Sequence, residues 1–156
     1  MLVQPSELTS ELYQEIIDEI TRDNLNEVKT QIKAAEDFCK SYLFKYDLNA
    51  LFGNDKVDPV LPPTVIDENL KKTVKIIASY WLVRKSNPSV SLELFRQDWE
   101  LMIGTKDEPG WLTQIKEGYL VPEWPYKPDD PSTPDVDESA NTQVSWSSNI
   151  KRTNRF

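Results

Sequence analysis

The stretch 24–47, NLNEVKTQIKAAEDFCKSYLFKYD, decides the fold. Leu25, Val28, Ile32, Ala35, Cys39, Tyr42 and Tyr46 step by three and four without a break, so they share one side of a helix. Asn24 stands where an N-cap belongs, and Glu27 three residues on completes a capping-box pattern. Ala34, Ala35 and Phe38 widen the stripe, and the small alanines predict close approach of a second helix. Cys39 lies on the stripe and reads as a buried small apolar residue, not a nucleophile.

The same periodicity extends in both directions. Upstream, SELTSELYQEIIDEIT (6–21) puts Leu12, Ile16, Ile17 and Ile20 at helical spacing before TRDN breaks the pattern. Downstream, 47–64 is punctuated by Gly53, Pro59, Pro62 and Pro63 and predicts a long connection. In 65–86, Leu70, Val74, Ile77 and Trp81 mark one face while Ile76, Tyr80 and Val83 mark another, the pattern of a central helix ended by Asn87-Pro88. Leu92, Phe95, Trp99 and Met102 predict a further helix. The last, within 107–118, has Asp107 as its expected cap, Pro109 in its first turn, Gly118 as its stop, and Trp111, Leu112 and Ile115 on its buried side. The fold class is therefore all-α, a compact bundle of about five helices.

Beyond residue 121 the chain changes character. Residues 122–138 hold five of the eleven prolines, at 122, 125, 128, 131 and 134, a spacing that lines them along one edge of a polyproline II helix. Asp129, Asp130, Asp135, Asp137 and Glu138 favour an extended, solvated segment. Residues 139–156 carry no acid and three bases, with Val144, Trp146 and Ile150 in a weak alternation suited to strand addition. The expected division is a helical body over 1–121 and an extended arm over 122–156. A body of about 120 residues buries roughly two-thirds of its unfolded surface and folds without staples.

Composition narrows the chemistry. With no histidine and one cysteine, the 156-residue chain lacks the usual general base, any intramolecular disulfide and any cysteine-based zinc site. There is no glycine-rich phosphate loop, and the paired carboxylates of 129–138 lie where nothing desolvates them. No catalytic residue, cofactor or metal is expected. The longest uncharged apolar run, IIASYWLV (76–83), is too short to span a bilayer, and MLVQPSELTS lacks the pattern of a secretory signal, so a soluble protein without a membrane partner is expected. The net charge of −8 argues against a grip on phosphates; plain solubility is its first reading, and a wall past which DNA slides is compatible with it. Lys71, Lys72 and Lys75, with Arg84 and Lys85, read as a solvated helix face. Trp81, Trp99 and Trp111 read as core, whereas Trp124 and Trp146 read as exposed anchors for a partner.

The order of these features carries a resemblance. An amphipathic pair over 12–47 ends in KYD (45–47), followed by a proline-rich connection, the helix LKKTVKIIASYWLVRKS (70–86), and WLTQIKEGYLVP (111–122) closing the body. Over roughly 6–122 this resembles the head–tail connector, or adaptor, proteins of bacteriophages, especially the group found in Mu-like prophages. The resemblance implies a helical bundle that forms a ring, typically a dodecamer, with the portal protein and a tail or second adaptor ring protein as partners. DNA would pass through without sequence-specific binding. It also implies a place at the head–tail interface of the virion, and in the host cytoplasm during assembly. On that reading the arm docks on a portal or neighbouring subunit through Trp124, Trp146, Ile150, Lys151, Arg152, Arg155 and Phe156. The connection, with Asn54, Asp55, Lys56 and Asp58, faces the channel or a neighbouring ring. The alternative is a small soluble helical interaction module that assembles no ring.

Overall fold

The computed structural model describes residues 2–22, 24–86 and 92–128. Among them are a 3-10 helix, Pro5–Ser10, and six α-helices: α1 (Gln14–Thr21), α2 (Leu25–Tyr42), α3 (Leu48–Phe52), α4 (Glu68–Ser86), α5 (Leu92–Ile103) and α6 (Trp111–Glu117). The described residues contain no strand, only isolated bridges at Tyr46–Tyr126, Asn54–Leu61 and Gly104–Pro109. The all-α expectation holds.

The bundle is built on α2 and α4. Asn24 caps α2 by accepting the Asn26 N–H at 3.2 Å. Glu27 does not complete the expected box: its carboxylate pairs with Lys85 near the end of α4. Val28, Ile32, Ala35 and Cys39 are buried against α4, whose Leu70, Val74, Ile77, Ala78, Leu82 and Val83 belong to the same core. The stripe is narrower than its spacing predicts, since Leu25 is 56% exposed and Ala34 lies on the solvent side. Cys39 is fully buried, and burial pushes its thiol up to about 12.

Around this pair the shorter elements are held by polar locks. The segment expected as one helix over 6–21 is two, because the chain breaks its helical course at Glu11–Tyr13. Gln4 and Glu7 cap the 3-10 helix reciprocally, and α1 ends where Arg22 turns left-handed at φ 51°. Ahead of them, the Leu2 and Val3 N–H groups donate to the buried Glu36 Oε1 at 2.6 and 3.3 Å. Burial raises the Glu36 carboxyl above its ordinary range, although these two bonds pull the other way.

Two readings of the chain's punctuation need correction. The connection 47–64 begins with α3, capped by Asp47, which accepts the N–H groups of Asn49 and Ala50 at 2.9 and 3.2 Å. Its own Leu51 and Phe52 are buried. The final helix is capped by Gly110, not Asp107. Gly104 and Gly110 lie back to back, so close that a Cβ on Gly110 would stand 2.3 Å from Gly104 N, and this contact starts α6 three residues later than proposed. Gly118 ends α6 at φ 86°, as expected.

Candidate interaction surfaces

The two segments singled out as surfaces behave oppositely. The first, 53–64, is a projecting hairpin. Asn54 and Leu61 exchange backbone hydrogen bonds at 2.8 and 3.1 Å, and the base is tied to α3 through Ala50 O, which accepts from Thr64 and Val65. Gly53, at φ 77°, makes the entry possible, since a Cβ there would lie 2.5 Å from Leu61 O. Of the residues proposed for this loop, Asn54 sits half-buried at the base and accepts the Lys56 N–H at 3.0 Å. Asp55, Lys56 and Asp58 are exposed toward the tip, which turns through a cis Asp58–Pro59 bond. Asp55 also stands 3.9 Å from Lys33, across a cleft of about 330 Å³ whose floor includes Glu36 and Phe52. Val60 and Leu61 add exposed apolar surface.

The second segment, the start of the expected arm, is core. Trp124 is only 6% exposed. Its ring meets Tyr46 at 5.4 Å and Trp111 at 5.9 Å, both edge-on, and its Nε1–H donates to Asp67 Oδ2 at 3.0 Å. Backbone bonds seal the segment on the KYD stretch: Asp47 N–H to Pro125 O at 2.9 Å, and Lys127 N–H to Lys45 O at 3.0 Å. Trp124 is therefore not an exposed anchor, and the packed body continues through Lys127 and not 121. The physical reason is a pocket between Tyr46 and Trp111 that matches an indole, with a carboxylate placed for its N–H. The other proposed arm residues, Trp146, Ile150, Lys151, Arg152, Arg155 and Phe156, lie outside the described residues.

Other surfaces emerge that spacing did not single out. On α5, Leu94 and Leu101 are exposed two turns apart, and no residue of that helix is fully buried. A shallow groove beside Leu101 is edged by Glu100, Glu108 and Pro109. At the end of the bundle where α2 and α6 stop, Phe44, Tyr119 and Tyr126 are exposed, and the Lys45 ammonium stands over the Phe44 ring. The signal for that end was in the sequence as adjacent aromatic and basic residues, Phe44-Lys45 and Tyr126-Lys127, obscured by the assignment of 122–128 to an arm. The lysine cluster on α4 is largely committed: Lys71 lies 3.7 Å from both Glu7 and Glu68, and Lys75 donates to Ser10 Oγ at 2.8 Å.

Among the described residues, no three acid or cysteine side chains gather as a metal site, and no helix is long and apolar enough to cross a membrane. No family model, no curated protein and no solved structure matches this chain.

Proposed function

We propose that this chain is a structural head–tail adaptor of a tailed bacteriophage, forming a ring between portal and tail through which DNA passes. The observation that carries the reading is the rooting of the arm. Trp124 locks the chain into the core, and the acidic proline sequence begins at Pro128, next to backbone fixed on the body. A docking arm needs such a root, because a spacer that starts at a rigid surface loses less freedom when its far end binds. The far end, VSWSSNIKRTNRF (144–156), supplies Trp146, Ile150 and Phe156 for apolar pockets and Lys151, Arg152 and Arg155 for acids on a portal or neighbouring subunit.

Further support comes from the body's surface. Exposed Leu94 and Leu101 on α5, and Val60 and Leu61 on the hairpin, give more than one apolar face, as a subunit between two neighbours requires. The order of features resembling phage connectors supports the same reading. The test is capture from the cells that produce the protein, comparing the full chain with one ending at Pro128, which keeps every core residue described. The adaptor reading expects the full chain to recover a partner assembly with rotational symmetry in electron micrographs, and the shortened chain to lose it. Recovery of single one-to-one partners without symmetry overturns it in favour of a simple interaction module.

A further inference from the structure

The end of the bundle where α2 and α6 stop combines open aromatic rings with lysines that pair with no carboxylate among the described residues. Phe44 is 53% exposed, with the Lys45 ammonium 6.0 Å from its ring centre. The Lys116 ammonium stands 5.4 Å from the Tyr42 ring. Lys45 Nζ donates to the Lys116 carbonyl at 3.0 Å and so joins the two helix ends. Tyr126 stacks on the buried Tyr46 at 5.3 Å yet remains 63% exposed, and Tyr119, just past α6, is 77% exposed. Among the described residues, Lys45, Lys116 and Lys127 form no ion pair with any carboxylate. In a chain of net charge −8, three lysines without a carboxylate partner among the described residues stand beside exposed rings.

We propose that this surface is the docking site for the acidic proline segment, 128–138, of a second copy of the chain. Three features select that occupant. Prolines 128, 131 and 134 form one edge of a three-residue repeat, and aromatic-lined surfaces with open ring faces take such an edge. Asp129, Asp130, Asp135, Asp137 and Glu138 supply the carboxylates that Lys45, Lys116 and Lys127 lack. The segment also begins directly after Lys127, inside the patch itself, and its proline spacing favours extended backbone. Such a preference favours a neighbour's patch over the one where the segment starts, which an extended chain would have to fold back to reach. Eleven residues in that conformation reach on the order of 30 Å, enough to cross to an adjacent bundle.

Segment and patch are different parts of the chain, so the contact is head-to-tail. Repeated with a closing rotation, it generates a ring. The inference rests on the adaptor reading for its ring and names the contact between neighbouring subunits.

Sedimentation velocity of the full-length protein, over a concentration series at low and moderate salt, tests it with two full-length variants. One carries K45E, K116E and K127E. The other carries D129N, D130N, D135N, D137N and E138Q. The wild type is expected to associate reversibly and more weakly in salt, and each variant roughly tenfold more weakly still. An equimolar mixture of the two variants retains one good patch and one good segment, so it forms a heterodimer that neither variant forms alone. Misfolding of either variant could not produce that gain. The inference is overturned if the wild type stays monomeric throughout, if either variant associates like the wild type, or if the mixture gains nothing. Closed rings formed equally well by both variants would overturn this docking and leave the adaptor reading standing. Open chains formed by the wild type, together with the heterodimer gained on mixing, would support this docking and count against the ring.

Discussion

Two proline-punctuated segments, 53–64 and 122–128, read alike in sequence and are used in opposite ways. The first is a hairpin held at its base by Asn54, Leu61 and Ala50, with its apolar residues outside. The second is inlaid, with one indole filling a slot between Tyr46 and Trp111 and backbone bonds to the end of α2. Proline content marks where regular structure stops, not whether a segment leaves the core. What separates the two is a single large side chain with a partner for its polar atom.

The largest effect should therefore come from Trp124→Ala. Emptying a buried tryptophan site costs about 3–5 kcal/mol, read as a drop in the denaturation midpoint. A cost below about 1 kcal/mol would erase the contrast between the segments. Asp67→Ala comes next, because this carboxylate both accepts the Trp124 indole N–H and caps α4 through the Leu70 N–H at 2.9 Å. The expected loss is about 2 kcal/mol, combining a lost cap with an unsatisfied buried donor. Urea unfolding of Asp67→Ala in a Trp124→Phe background should recover part of that cost, since the indole N–H is then absent.

Gly53→Ala sharpens the comparison from the hairpin side. Its positive φ and the 2.5 Å approach to Leu61 O predict a cost of about 1–3 kcal/mol, located in the loop base and detectable as faster exchange of the Asn54 and Leu61 amides. Glu36, on the floor of the neighbouring cleft, gives a pH-dependent effect. Its folded-state carboxyl titrates higher than in the unfolded chain, so its contribution is fully present at pH below the ordinary carboxylate range. That contribution is lost as pH rises through the raised value. Glu36→Gln should thus gain stability relative to wild type as pH is raised from about 4 to about 7, in paired urea titrations. The smallest effect belongs to Val60→Ser with Leu61→Ser at the hairpin, within about 0.5 kcal/mol of wild type.

The long elements were legible because their signal repeats. α2 and α4 each carry several turns of apolar spacing, and Cys39 and Ile77 fall where that spacing puts them. Short elements carry no such redundancy. α3 has one turn, and its only local mark is Asp47, read as the end of the preceding pattern and not as a cap. The start of α6 was misplaced because Asp107 is a plausible cap locally, whereas the Gly104–Gly110 contact that fixes the start is a matter of two backbones meeting. Trp124 was misread for a related reason. Its partners, Tyr46, Asp67 and Trp111, lie far from it along the chain, and no local pattern announces them. The aromatic–lysine end was hidden by the same error, since Tyr126 and Lys127 had been assigned to the arm.

The boundary of the body is the claim on which both the arm and its docking depend. Thermal unfolding of two shortened chains, one ending at Pro128 and one at Val121, tests it most directly. The chain ending at Pro128 should melt cooperatively within about 2 °C of the full-length protein, and the chain ending at Val121 should melt at least about 10 °C lower. Equal melting of the two chains would mean that Trp124 holds nothing together, and the account of a core-rooted arm would be wrong.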